Sequence, residues 1–168
     1  VNSCAIRITY GNFRYFNGGD LSGGAQKDLY KAKDRDMETP VAKVCGKVDV
    51  AKANHHGYYD TCNGFFLNTV SPDVMIIDAR SQNHPVPPTM ARMVDHMVWP
   101  GKGEFYITVD QPRQKLGEEL WSHFKPWGHI VVRVYEGGEK YQVFVLDADS
   151  LDYHIIYTSD VKKAGNNR

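Results

Sequence analysis

Between residues 48 and 124 short apolar runs alternate with longer amphipathic stretches, and this alternation constrains the fold more than any other feature of the chain. Residues 48–53 read as a strand, 61–70 as a helix and 73–78 (DVMIID) as a strand buried on both faces. Residues 88–99 then read as a helix, 104–109 as a strand and 113–124 as a helix. Pro87 and Pro88 supply a helix start, since proline suits the first turn. Met90, Met93, Val94, Met97 and Val98 then share one face of that helix, which marks the methionines as core. Leu116, Leu120 and Phe124 follow a spacing of four in the next helix. Strands that alternate with helices pair in parallel, because each helix carries the chain back to the starting edge.

The two ends of the chain follow a different rule. Cys4, Ile6, Ile8 and Tyr10 alternate with other residues, and Gly11-Asn12 turns the chain into a second extended run at 13–16. Near the other end, runs at 130–135 and 141–146 flank Glu136-Gly137-Gly138-Glu139 as a second hairpin, and a short strand follows near 153–157. The expected class is therefore α+β, a mixed sheet with helices on one face. The other face of such a sheet must be wet or covered by another sheet.

Length and charge narrow the field further. At 168 residues, one domain or part of one is expected. The 20 basic and 20 acidic residues cancel, so the electrostatic footprint of a nucleic-acid binder is missing from the average. Cys4, Cys45 and Cys62 form no CxxC pair and read as free thiols. No apolar run approaches the roughly 18 residues of a membrane span, which predicts a soluble chain without a membrane partner. Residues 25–47, rich in Lys, Asp and Glu, read as a solvated loop with one short helix.

The residues able to carry chemistry cluster where strands end. The first hairpin runs into Asn17-Gly18-Gly19-Asp20-Leu21-Ser22-Gly23-Gly24, and a carboxylate beside glycines can be approached closely. The strand at 48–53 ends in Asn54-His55-His56-Gly57, with Gly57 leading toward the next helix. Adjacent residues of an extended chain face opposite ways, so one imidazole of the pair is expected at the site and the other elsewhere. His84, in Gln82-Asn83-His84-Pro85, stands after the next strand and therefore at the same sheet edge, where open sheets with helical crossovers bind ligands. It is a candidate for positioning substrate or donating a proton. His96, His123, His129 and His154 have no partners at ligand spacing and read as structural or surface residues. The nucleophile-elbow, P-loop and dinucleotide signatures are missing.

The order GNFRYFNGGD, VDVAKANHHG, SPDVMIIDARSQNHP resembles the C-terminal half of the metallo-β-lactamase superfamily. It is most similar there to the hydrolase domain of bacterial DNA-uptake competence channel proteins. The motifs cover residues 4–95, and the remainder follows by the order of strands and helices. The resemblance implies an αββα sandwich of which residues 1–168 form a single partial domain. It implies that Asp20 bridges two divalent ions, that His55 or, one residue out of register, His56 binds one of them, and that His84 lies on the substrate side. Asp20 and His84 would then be catalytic, and Asp20 and His55 the metal ligands. Zinc is the default cofactor, with manganese or iron as alternatives. A metal-held hydroxide would attack an ester, lactone or phosphodiester.

The same resemblance places a His-x-His-x-Asp-His motif and a further histidine ahead of Asp20, and the 19 residues there hold no histidine. The chain also enters a strand without an initiator methionine. The expectation is a fragment, inactive alone, whose exposed apolar sheet face is covered by a missing N-terminal half or a second chain. The alternative is a metal-free interaction module that keeps the scaffold.

Overall fold

In the strands at the centre of the molecule, successive side chains go to two different cores. Val50, Val74 and Tyr106 pack toward one side and Ala51, Met75, Phe105 and Ile107 toward the other, all of them buried. The near-continuous apolar runs of the sequence therefore reflect burial on both faces, as expected for parallel strands. The structure is a computed structural model that describes residues 3–24, 36–101 and 103–165.

Five strands form the first sheet in chain order: β1 (Ile6–Tyr10), β2 (Phe13–Asn17), β3 (Val50–Lys52), β4 (Val74–Ile77) and β5 (Glu104–Ile107). The hairpin pair β1–β2 is antiparallel and every later pair is parallel, which makes the sheet mixed. Among the described residues, four helices accompany it: α1 (Glu38–Cys45), α2 (Gly64–Val70), α3 (Pro87–Val94) and α4 (Arg113–Trp121). Phe66, Leu67 and Val70 of α2, Met90 and Met93 of α3 and Leu116 of α4 share one core with Phe16, Met75 and Ile107. The fold is α+β.

A second, antiparallel sheet covers the other face. It consists of β6 (His129–Val134), β7 (Lys140–Leu146), β8 (Ile155–Thr158) and β9 (Lys162–Lys163), with β7 paired to the other three. Tyr141, Val143 and Val145, every second residue of β7, are fully buried against Phe13, Val50, Val74 and Tyr106. This corrects the expected need for outside cover over the sheet: the C-terminal strands of the chain itself supply it, because the period-two alternation of β7 offers one complete apolar face. Apolar exposure on the first sheet is confined to its edge strand, where Ile6, Ile8 and Tyr10 are about half exposed.

Several expected elements are shorter than their apolar patterns. The helix expected over 88–99 ends at Val94, and Met97, assigned to its buried face, is 92% exposed. Asp95 accepts from the Met97, Val98 and Trp99 backbone N–H groups, so a turn replaces the last helical coil there. The helix expected from residue 61 starts at Gly64, behind Asn63, whose Oδ1 accepts from Phe66 N at 2.8 Å as a side-chain cap. Of the loop read over 25–47, residues 25–35 lie outside the described residues. Residues 38–45 form α1, whose Glu38, Ala42 and Cys45 are buried rather than solvated.

Candidate functional site

The C-terminal ends of β2, β3 and β4 lie side by side because these strands are parallel, and the loops that leave them carry Asp20, His55-His56 and His84 to one edge of the sheet. The backbone after β3 decides how the histidines are presented. His55 (φ 44°, ψ 40°) and His56 (φ 55°, ψ 19°) both occupy the left-handed region, and Gly57 follows at φ 80°. Such a conformation costs an L-residue with a β-carbon about 1–2 kcal/mol. Two in succession are a local strain that the surrounding contacts must offset.

That left-handed turn keeps both rings at the sheet edge, and only His56 is directed at Asp20. The ring centroids of His55 and His56 stand 6.4 Å apart, and those of His84 lie 6.1 Å from His55 and 5.5 Å from His56. Tyr58 joins the group, 5.1 Å from His55 and 5.3 Å from His84. Gly57 does not lead into a helix. A β-carbon on it would lie 2.7 Å from that of Pro85, so the residue lets the His84 loop close onto the turn, and Val86 N donates to Gly57 O at 3.1 Å.

Hydrogen bonds define the chemistry of His56. Its Nδ1 is 2.9 Å from both the carbonyl and the Oδ1 of Asp78, two groups that only accept while the carboxylate is ionised, so Nδ1 carries the proton. Its Nε2 stands 3.5 Å from Asp20 Oδ1, an ion pair when the ring is protonated and two facing lone pairs when it is neutral. Two acceptor atoms at that separation need a proton or a cation between them. His55 turns instead to Asp60, 3.6 Å from Nδ1 to Oδ1. The pKa of His84 is lowered, first by burial and then by the neighbouring His56 and His55, which favours its neutral imidazole.

Beneath the histidines lies Lys52, the last residue of β3, buried although charged. Its Nζ donates to the Gly19 and Ala53 carbonyls at 3.1 and 3.0 Å and pairs with Asp78 at 3.4 Å. One ammonium thus ties the ends of three strands together and balances the carboxylate that orients His56. His55 N also donates to Gly19 O at 2.9 Å, joining the Asp20 loop to the histidine turn.

The structure thus brings Asp20, His55, His56 and His84 together. Lys52, Tyr58, Asp60 and Asp78 belong to the same site and escaped the sequence reading. Asp78 carried a legible signal, a carboxylate at the end of a strand parallel to the histidine strand. Lys52 carried none, because a lysine in a three-residue strand usually faces solvent.

Two ligands of a tetrahedral zinc at ~2.05 Å stand roughly 3.3 Å apart, a spacing near that of Asp20 and His56. Among the described residues, however, no three His, Cys, Asp or Glu side chains are placed to hold one ion. Zinc sites take three or four protein ligands, so the described residues alone do not fit the two-ion centre. Among the described residues, no helix is long and apolar enough to cross a membrane. No family model, curated protein or solved structure matches the chain.

Proposed function

We propose that this chain contributes one wall of the active site of a metal-dependent hydrolase of the metallo-β-lactamase fold, acting on an ester, lactone or phosphodiester. The observation that carries the reading is the pair Asp20–His56, a carboxylate oxygen and an imidazole nitrogen facing each other 3.5 Å apart at the end of parallel strands. The strain accepted at His55 and His56 supports it, since strained backbone of this kind concentrates at functional sites. Within the pair of candidates after β3, His56 rather than His55 is the partner of Asp20. Asp78 orients His56 through Nδ1 and leaves Nε2 as the working atom, and neutral His84 is available to accept or give a proton on the open side. The remaining ligands of any ion would come from outside the described residues.

The incomplete ligand set favours a second reading, a metal-free interaction module built on the same scaffold. Elemental analysis of the protein as encoded, together with turnover of a p-nitrophenyl ester, a lactone and bis(p-nitrophenyl) phosphate, separates the two. The hydrolase reading expects bound zinc, manganese or iron and chelator-sensitive turnover. It also expects both to fall at least about tenfold in Asp20→Ala and His56→Ala, the scale of one lost ligand contact. Unchanged metal content and activity in Asp20→Ala would remove Asp20 from the mechanism. A protein without metal or turnover would favour the interaction module.

A further inference from the structure

Away from the histidines, the first residue of α1 is a carboxylate with no access to solvent. Glu38 is 0% exposed, and a buried carboxylate persists only where its surroundings satisfy it. Its Oε1 accepts from Asn54 Nδ2 at 2.7 Å and from Cys62 N at 2.6 Å, and its Oε2 accepts from Asn63 N at 2.7 Å. Asn54 immediately precedes His55, while Cys62 and Asn63 end the loop that begins there. A single carboxylate therefore closes both ends of the segment that bears His55, His56, Tyr58 and Asp60.

That segment needs an external clasp. Three of its residues other than glycine, His55, His56 and Cys62, have positive φ, and each is a conformation the chain alone would leave. Other bonds hold the middle and the far end: Thr89 Oγ1 donates to Tyr58 O at 2.9 Å, and Arg92 donates to the Thr61 and Cys62 carbonyls at 2.8 and 2.9 Å. At the near end, Glu38 is the partner of the Asn54 side chain, which is itself 0% exposed and whose Oδ1 has no hydrogen-bond partner among the described residues. Without Glu38 the Asn54 amide would be buried with neither end satisfied.

We infer that Glu38 is a positioning residue, holding the strained histidine turn in the geometry that points His56 Nε2 at Asp20 while Asp78 holds Nδ1. The inference rests on reading that turn as the functional end of the sheet, yet its test needs no substrate. In Glu38→Gln the Nε2 amide would meet the Asn63 N–H donor to donor, so the shape is kept and one end of the clasp is lost.

The measurement is ring ¹⁵N NMR of the histidines at about pH 8, where the Glu38 carboxyl is ionised, with amide hydrogen exchange on the same samples. In the unaltered protein His56 shows one tautomer, protonated at Nδ1. In Glu38→Gln its two ring nitrogens average, and the amides of residues 55–63 exchange at least about tenfold faster, the scale of a lost hydrogen bond to a charged group. His129 and the β7 amides of Val143 and Val145 stay unchanged. A folded Glu38→Gln protein with the original His56 signals would overturn the inference, as would acceleration spread evenly over β7. Should Glu38→Gln not fold, Asn54→Ala decides: it leaves both backbone bonds to Glu38 in place, the same changes in His56 are expected at smaller size, and their absence would overturn the inference. Turnover plays no part in these readouts, so hydrolase and clasp can fail separately.

Discussion

The seam between the two sheets and the histidine turn at the edge of the first sheet are both well packed, but different physics holds each. At the seam, alternating residues of the two sheets meet: Phe13 packs against Tyr141 with its ring tilted by 59° and centroids 5.2 Å apart, and Val143 and Val145 are closed off from water. Phe13, Tyr141, Val143 and Val145 all lie in paired strands, and the contacts are non-directional burial. At the turn, positive φ at His55 and His56 is held in place by directional bonds from Glu38, Lys52, Thr89 and Arg92. The seam therefore contributes stability that no single bond controls, whereas the turn trades stability for the orientation of two imidazoles.

The largest effect tests the seam. Phe13→Ala removes a buried ring between the sheets and is expected to destabilise the chain by about 3–5 kcal/mol, read from urea unfolding. It should leave the His56 ring tautomer intact in the protein that remains folded. A loss well below about 1 kcal/mol, small for a large-to-small core substitution, would mean that the sheets are not tightly joined there.

The next effect comes from the clasp and appears as pH dependence. Burial pushes the Glu38 carboxyl up from its ordinary value to about 7, and Asp36 adds in the same direction against the N–H donors of Asn63, Asn54 and Cys62. A carboxyl raised in this way binds its proton more tightly in the folded chain than in the unfolded one. Stability is therefore full below about pH 4.5 and is lost as pH rises toward about 7, by roughly 3 kcal/mol. His84, lowered, acts in the opposite sense, since the unfolded chain takes up its proton first as pH falls through about 6.5. Unfolding free energies at pH 5 and pH 7.5 should differ between the unaltered protein and Glu38→Gln by the Glu38 contribution, with His84 common to both. Identical slopes would show that the carboxyl ionises without cost.

The smallest effect carries the opposite sign. His55→Gly relieves a left-handed position and is expected to stabilise the chain by about 0.5–1 kcal/mol, since its ion pair with Asp60 is long and partly solvated. A destabilised variant would mean that the imidazole packing on Tyr58 and His84 outweighs the strain, and the contrast between seam and turn would weaken.

Much of the architecture was legible because periodicity records burial. The doubly apolar runs at 48–53 and 73–78 marked β3 and β4, and the spacing of Met90 and Met93 marked the buried side of α3. The end of α3 was not legible, since Met97 and Val98 continue the apolar pattern into a turn that Asp95 holds. The sheet-on-sheet packing was also hidden, because a hairpin at 129–146 with one apolar face carries no mark of the surface it will cover.

The site divides the same way. That Asp20, the histidine pair and His84 share one edge follows from the sequence, because strands joined by helical crossovers run parallel and their exits align. Which imidazole meets Asp20, and with which tautomer, was decided only in three dimensions. Consecutive left-handed residues cancel the alternation that a strand would impose, and the partners that hold them there, Glu38, Lys52 and Asp78, are brought in from distant parts of the chain. Local sequence sets where a strand ends, while long-range hydrogen bonds set the direction of the side chains that follow it.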